Sequence, residues 1–132
     1  MHYLVLHRIY QVLILSYDKL GRFLVRPQWP ESIEEMALSG ELILQYELQG
    51  GHILRIKEKY QVKRYALQID YMYMLSAAEG TPIFSCDNAP HHPEVGTFPH
   101  HKHRYPKAQF PPTEFSGEIA AFLDDVLWEL SR

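Results

Sequence analysis

Five of the eight histidines in this 132-residue chain fall within thirteen residues: His91, His92, His100, His101 and His103. They belong to one continuous stretch, Asp87-Asn88-Ala89-Pro90-His91-His92-Pro93-Glu94-Val95-Gly96-Thr97-Phe98-Pro99-His100-His101-Lys102-His103. Imidazole titrates near neutral pH, so it gives and takes protons or ligates a metal. Pro90, Pro93 and Pro99 stiffen the connections between the rings and hold them at low entropic cost. Three uses of such a cluster are open. One neutral and one protonated ring could move protons in a hydrolysis or transesterification. His91 or His92 with His100, His101 or His103 could supply three nitrogens to a metal, and Asp87 an oxygen. Neutral rings could also bond backbone carbonyls and pin the loop. The spacing matches no zinc signature, so the expectation is a site without metal or cofactor, in which Asp87 fixes the tautomer of one ring.

Other chemistry-bearing residues lie upstream. Glu58 falls on the apolar side of an alternating stretch, where a carboxylate needs a partner or an elevated pKa; it is a candidate catalytic residue. Arg55, Lys57 and Lys59 alternate onto the opposite side, and Arg64 follows them. With Lys102, Arg55 and Lys57 are the candidate cations for a phosphate. Tyr73, in a ladder with Tyr65 and Tyr71, could orient a phosphate if its phenol reaches the loop. Cys86, the only cysteine, excludes an internal disulfide and reads as packing. His2, His7 and His52 read as surface or turn residues.

The elements that must position these groups follow from periodicity. Tyr3 to Leu20 places Leu6, Ile9, Tyr10, Leu13 and Tyr17 at helical spacing, with Gly21 as a stop. Pro27 and Pro30 break the pattern, and Glu31 to Ser39 is ambiguous. Glu41–Gln49 and His52–Tyr60 alternate about a Gly50-Gly51 turn. Lys63–Leu75 alternates again, with Tyr65, Leu67, Ile69, Tyr71, Tyr73 and Leu75 on one face and Arg64, Gln68 and Asp70 on the other. Ala77 to Thr81 is a turn and Pro82–Cys86 a short last strand. Ala89 to Pro112 is Pro-rich and reads as a long loop. Ile119, Phe122, Leu123, Val126, Leu127 and Leu130 make the apolar stripe of a closing helix capped by Ser116. The expected fold class is α+β: an N-terminal helix, a four-stranded antiparallel meander, a Pro/His-rich loop and a C-terminal helix, in one domain spanning residues 1–132.

Composition sets the outer bounds. An apolar fraction of 46%, with 13% aromatic, belongs to a folded chain rather than a disordered one. The apolar stretch Tyr3 to Leu15 is interrupted by His7, Arg8 and Gln11 and falls short of a membrane span. No secretory leader pattern is present, so a cytoplasmic location is expected. Net charge is −3 but segregated. Glu31 to Glu47 and Glu114 to Glu129 are acidic, and His52 to Arg64 is basic. A basic middle suits a polyanion, and the acidic end suits a basic partner.

The stretch CDNAPHHPEVGTFPHHKH, residues 86 to 103, closely resembles the motif of a prokaryotic protein family of unknown function linked to the TumE toxins. YMYMLSAAEGTPIF, residues 71 to 84, and GGHILRIKEKY, residues 50 to 60, are similar to that family's strands, with Lys57–Glu58 matching a basic–acidic pair. Cys86 departs from the pattern, standing where an aromatic is common. The resemblance implies a toxin of a two-gene, type II toxin–antitoxin module, encoded beside a small helix-turn-helix antitoxin. A helix followed by a four-strand meander also resembles the barnase- and RelE-like ribonucleases, a fold-level analogy. The combined expectation is a metal-independent endoribonuclease acting on RNA. Its rivals are a metal-dependent nuclease and a non-enzymatic module that docks a protein through the His-rich loop.

Overall fold

The structure, a computed structural model, describes residues 2–26 and 28–132; Pro27, one of the expected helix breakers, lies outside them. Helix α1 spans Tyr3–Leu20, as its periodicity predicts. Val5, Ile9, Val12, Leu13, Ser16 and Leu20 form its buried stripe, and Ser16 bonds back to the Val12 carbonyl at 2.7 Å. The ambiguous stretch forms a short helix α2, Ile33–Ser39, ended by Gly40 in the left-handed conformation.

The strands are β1 (Glu41–Glu47), β2 (Ile53–Lys63), β3 (Ala66–Ser76), β4 (Pro82–Asp87), β5 (His101–Arg104) and β6 (Thr113–Glu114), followed by helix α3, Ile119–Leu130. All pair antiparallel in sequence order, a six-stranded meander rather than the expected four. Of the two additional strands, β5 comes out of the stretch expected to be loop, and β6 follows directly after its end at Pro112. His-Lys-His-Arg carries no apolar alternation, yet its backbone pairs with β4 from Phe84↔Arg104 to Asp87↔His101. The expected Gly50-Gly51 turn is present, both glycines having positive φ, and a Cβ on Gly51 would lie 2.7 Å from the Ala78 Cβ. Arg64 and Tyr65, expected within the third strand, instead form the two-residue turn between Lys63 and Ala66. Both have positive φ, and Tyr65 points into solvent.

Strand alternation divides the sheet into two faces. The inner face carries Leu42, Leu44, Tyr46, Leu54, Ile56, Tyr73, Leu75, Phe84 and Cys86, and packs against the apolar stripes of α1 and α3. Helix α3 buries Ile119, Phe122, Leu123 and Val126, and its N-cap is Glu118; Ser116 bonds the Glu118 amide instead of capping. The acidic side of α3 is neutralised from within the chain. Lys19 reaches Asp124 at 2.7 Å, Lys102 reaches Asp125 at 3.1 Å, and Arg104 pairs with Glu129. No helix among the described residues is long and apolar enough to cross a membrane.

Candidate functional site

On the outer face the ladders set side chains into rows. Lys57, Met72, Asp87 and His101 are successive register partners, and Arg55, Met74, Ser85 and His103 form the next row. His101 and His103 are two residues apart on one strand, so both rings stand on this face, while His100 and Lys102 turn to the other.

The segment between β4 and β5 folds back over these rings. Its start is tied by Asn88, whose side chain takes over the hydrogen bonding of β4 beyond its last residue. Asn88 Oδ1 accepts from the Tyr71 amide at 3.0 Å, and its Nδ2 donates to the Ile69 carbonyl at 2.8 Å. Its far end is tied by Thr97, whose hydroxyl donates to the His100 carbonyl at 2.7 Å and accepts from the Phe115 amide at 2.9 Å. Val95 anchors the middle by burial. The result brings His92 down onto the strand histidines, with ring centroids 4.9 Å from His101 and 5.1 Å from His103, which are 4.8 Å from each other.

Within this cluster His101 is 2% exposed and His103 7%. The Pro99 carbonyl lies 2.9 Å from His101 Nδ1 and can only accept, so Nδ1 carries a proton. His101 Nε2 faces Asp87 Oδ1 at 3.0 Å, and the same oxygen accepts from the Ala89 amide at 3.0 Å. His92 Nδ1 lies 3.1 Å from Glu94 Oε1 at the exposed rim. Burial pushes His103 below the usual imidazole value; Lys107, His101 and His92 add to the shift and Asp87 opposes it. His103 therefore favours the neutral form, with a lone pair free. One nitrogen from each of His92, His101 and His103 lies within 4.8 Å of the others. This is a donor set able to hold a cation.

The remaining sequence candidates lie elsewhere. His91 is exposed at the edge of the loop. His100 is on the inner face, stacked on Tyr71 with centroids 5.8 Å apart; its Nδ1 is 2.8 Å from the Tyr71 hydroxyl, and it sits against Gly117. Lys102, expected to meet a phosphate inside the cluster, is also on the inner face, paired with Asp125 and 4.5 Å above the Phe84 ring. Arg55 and Lys57 are on the outer face as expected; Arg55 bonds Gln45 at 3.1 Å, and Lys57 has no ion-pair partner among the described residues. Lys57 also lines a cleft of about 570 Å³ between the sheet and Pro90, with Lys59, Asp70, Met72 and Asn88.

Glu58 is fully buried on the inner face and fully partnered. Arg8 of α1 grips it with Nε at 3.0 Å and Nη2 at 2.8 Å, while the hydroxyls of Tyr60 and Tyr73 donate to it at 2.8 and 2.5 Å. Burial raises both phenols above their usual range, and the Glu58 charge raises them further. For Arg8, burial pulls the guanidinium down but the Glu58 bond and charge outweigh it, so the net shift is upward. This is a locked structural pair, and Tyr73 is committed to it. Arg8 carried a positional signal, three residues after Val5 and four before Val12 inside the buried stripe of α1, but nothing in the sequence matched it to Glu58. Tyr105 and Lys107, which follow β5 near Ser85 and His103, had no comparable signal.

The chain is thus α+β, a helix-backed antiparallel meander with three histidines brought together beneath a Pro-rich segment. The family model for Toxin TumE matches residues 29–132, from Trp29 through α3, and the chain belongs to that toxin family. Neither a curated protein nor a solved structure shows a significant match. The matched region contains both faces of the sheet but leaves out α1, and with it Arg8.

Proposed function

We propose that this chain is the toxin of a two-gene type II module, held in check by a helix-turn-helix antitoxin, and that it acts as an endoribonuclease at the outer sheet face. The observation that carries this reading is the convergence of His92, His101 and His103 beside Asp87, on the face that also bears Arg55 and Lys57. Cleaving a ribose phosphodiester requires removal of the 2′-OH proton, protonation of the leaving 5′ oxygen, and positive charge against the developing phosphorane. The neutral His103 and the partly exposed His92 are suited to the proton steps, with His101 held by Asp87 and Pro99.

Distance decides what the surface cations do. Lys57 is three strands from His101, about 14 Å at ordinary strand spacing. Arg55 and Lys57 thus serve phosphates flanking the reacting one, which positions the strand without touching the chemistry. Growth arrest on induced expression, its relief by the neighbouring helix-turn-helix gene, and mapping of new RNA ends test the reading together. Arrest without new RNA ends would favour the rival, a module that docks a protein through the His-rich loop.

A further inference from the structure

The three converging imidazoles have an electrostatic peculiarity. His103 is 7% exposed and its ring packs edge-on against His92 and His101; neither of its nitrogens has a hydrogen-bond partner among the described residues and neither is sealed from solvent, so both stay open to water or an ion. His101 has its Nδ1 proton tied to the Pro99 carbonyl, which turns Nε2 toward Asp87 Oδ1 at 3.0 Å, and an ion bound between them would displace the proton they share. The side-chain cation that faces the cluster is Lys107, whose charge is felt at His103; Lys102 is on the opposite face, and Arg55 and Lys57 are strands away.

We propose that His92, His101 and His103 bind a divalent transition-metal ion, with Asp87 as a fourth, oxygen ligand. The donor atoms support it: one nitrogen from each ring lies within 4.8 Å of the others, and Asp87 Oδ1 is 3.0 Å from His101 Nε2. Metal–nitrogen bonds of 2.0–2.1 Å in a tetrahedral site put ligand nitrogens about 3.4 Å apart, so the cluster needs to close by about 1 Å. His92 is the member able to make that shift, being on the loop while the other two are fixed in the β5 ladder. Three imidazoles and a carboxylate select zinc, nickel, cobalt, iron or copper over magnesium or calcium, which prefer all-oxygen shells. Rings that ligate an ion no longer move protons, so in the loaded protein a water on the ion would take the place of His92 and His103 as base, and the ion would supply the charge the proposed phosphodiester chemistry needs.

The inference concerns the same rings as the proposed nuclease but rests on their geometry, so the two fail separately. The purified full-length chain is stripped with chelator, dialysed and titrated with Zn(II), then with Co(II) as a spectroscopic probe. One equivalent should bind, the Co(II) form should show the intense visible bands of a low-coordinate site, and the melting temperature should rise with free Zn(II). His92→Gln and His103→Gln should each weaken binding by more than about a hundredfold, exceeding the loss typical of a supporting residue. The exposed helix residue substitution His7→Gln should leave it unchanged. His92→Gln leaves the strands intact, so it remains decisive if His103→Gln fails to fold. Absence of stoichiometric binding, or binding indifferent to His92→Gln, overturns the metal site. RNA cleavage persisting in excess chelator, with no stoichiometric binding when Zn(II) is returned, overturns the site while sparing the nuclease; a loaded protein that leaves RNA intact does the reverse.

Discussion

Asp87 and His101 are register partners across the β4–β5 ladder, and their side chains meet at 3.0 Å on the outer face of the sheet, beneath the connecting segment. One strand ends on the carboxylate and the next begins on the imidazole, so the backbone pairing itself aligns them. Asp87→Asn keeps an oxygen for the Ala89 amide but removes the charge facing His101. RNA cleavage by the purified protein should fall about ten- to a hundredfold, as for removal of a supporting carboxylate, while the melting temperature moves by only a few degrees. Full activity in the Asn variant would detach Asp87 from the chemistry.

Histidines of the same sequence cluster have opposite roles on the two sides of the sheet. His92→Ala removes a ring from the cluster at the loop, and should abolish growth arrest with little change in stability. His100→Ala opens a void against Tyr71 and Gly117 on the inner face, and should lower stability by about 1–3 kcal/mol through lost packing and an orphaned phenol. Expression in cells beside urea melts of both variants separates them. Equal loss of stability in both would mean that the histidines act together as loop-pinning residues.

Arg8 and Glu58 are held to each other by two bonds, with the carboxylate sealed from water. Arg8→Met strands a buried charge and should cost about 3–5 kcal/mol in equilibrium unfolding. The double variant Arg8→Met, Glu58→Leu removes both charges, and should recover a large part of that loss. If the double variant folds but no longer arrests growth, Glu58 has a role beyond structure.

How much was legible in the sequence depended on whether apolar alternation marked the element. β1 to β4, the glycine turn and both long helices carry that mark and were readable. β5 does not: its alternation sets His101 and His103 against Lys102 and Arg104, all polar, so no hydrophobic period announces a strand. Missing β5 had a direct consequence for the site. Recognised as a strand, residues 100–103 would have separated His100 and Lys102 from His101 and His103 by the two-residue period alone. Glu58 was conspicuous as a carboxylate on an apolar face. Its partner was not, because matching it to Arg8 requires knowing how α1 crosses a sheet formed about fifty residues later. The acidic side of α3 invited an external basic partner for the same reason; Lys19, Lys102 and Arg104 come from distant elements.

Alkaline pH should unfold the protein through its tyrosines. Tyr60 and Tyr73 are raised above the ordinary phenol value of 10.0 by burial first and by Glu58 second, and burial raises Tyr46 and Tyr71 as well. The folded state holds these protons more tightly than the unfolded chain does. Their contribution is therefore intact below about pH 10 and is lost as pH rises toward the folded-state values, at up to about 1.4 kcal/mol per pH unit for each phenol. Urea melts between about pH 9 and about pH 11 should show stability falling with pH. Tyr73→Phe, though less stable at neutral pH, should show a slope shallower by about one proton. An unchanged slope would mean that Tyr73 does not keep its proton as the burial implies.

Lys57 and Lys102 carry the same charge on opposite faces of one sheet, which makes them a paired test of where a polyanion lies. Lys57 is exposed on the outer face without an ion-pair partner among the described residues, while Lys102 is half-buried between Asp125 and the Phe84 ring. A cation that replaces counterions on a phosphate backbone adds roughly one unit to the slope of log affinity against log salt. Lys57→Ala should therefore weaken binding of RNAs of any sequence alike and flatten that slope by about one. Lys102→Ala should leave the slope as it is, and instead lower stability by about 1 kcal/mol or more through the loss of the Asp125 bond and its contact with Phe84. Binding measured at several salt concentrations, beside thermal melts, distinguishes the two effects. A slope that flattens for Lys102→Ala and not for Lys57→Ala would place the RNA on the helix-covered side and remove the outer face from the mechanism.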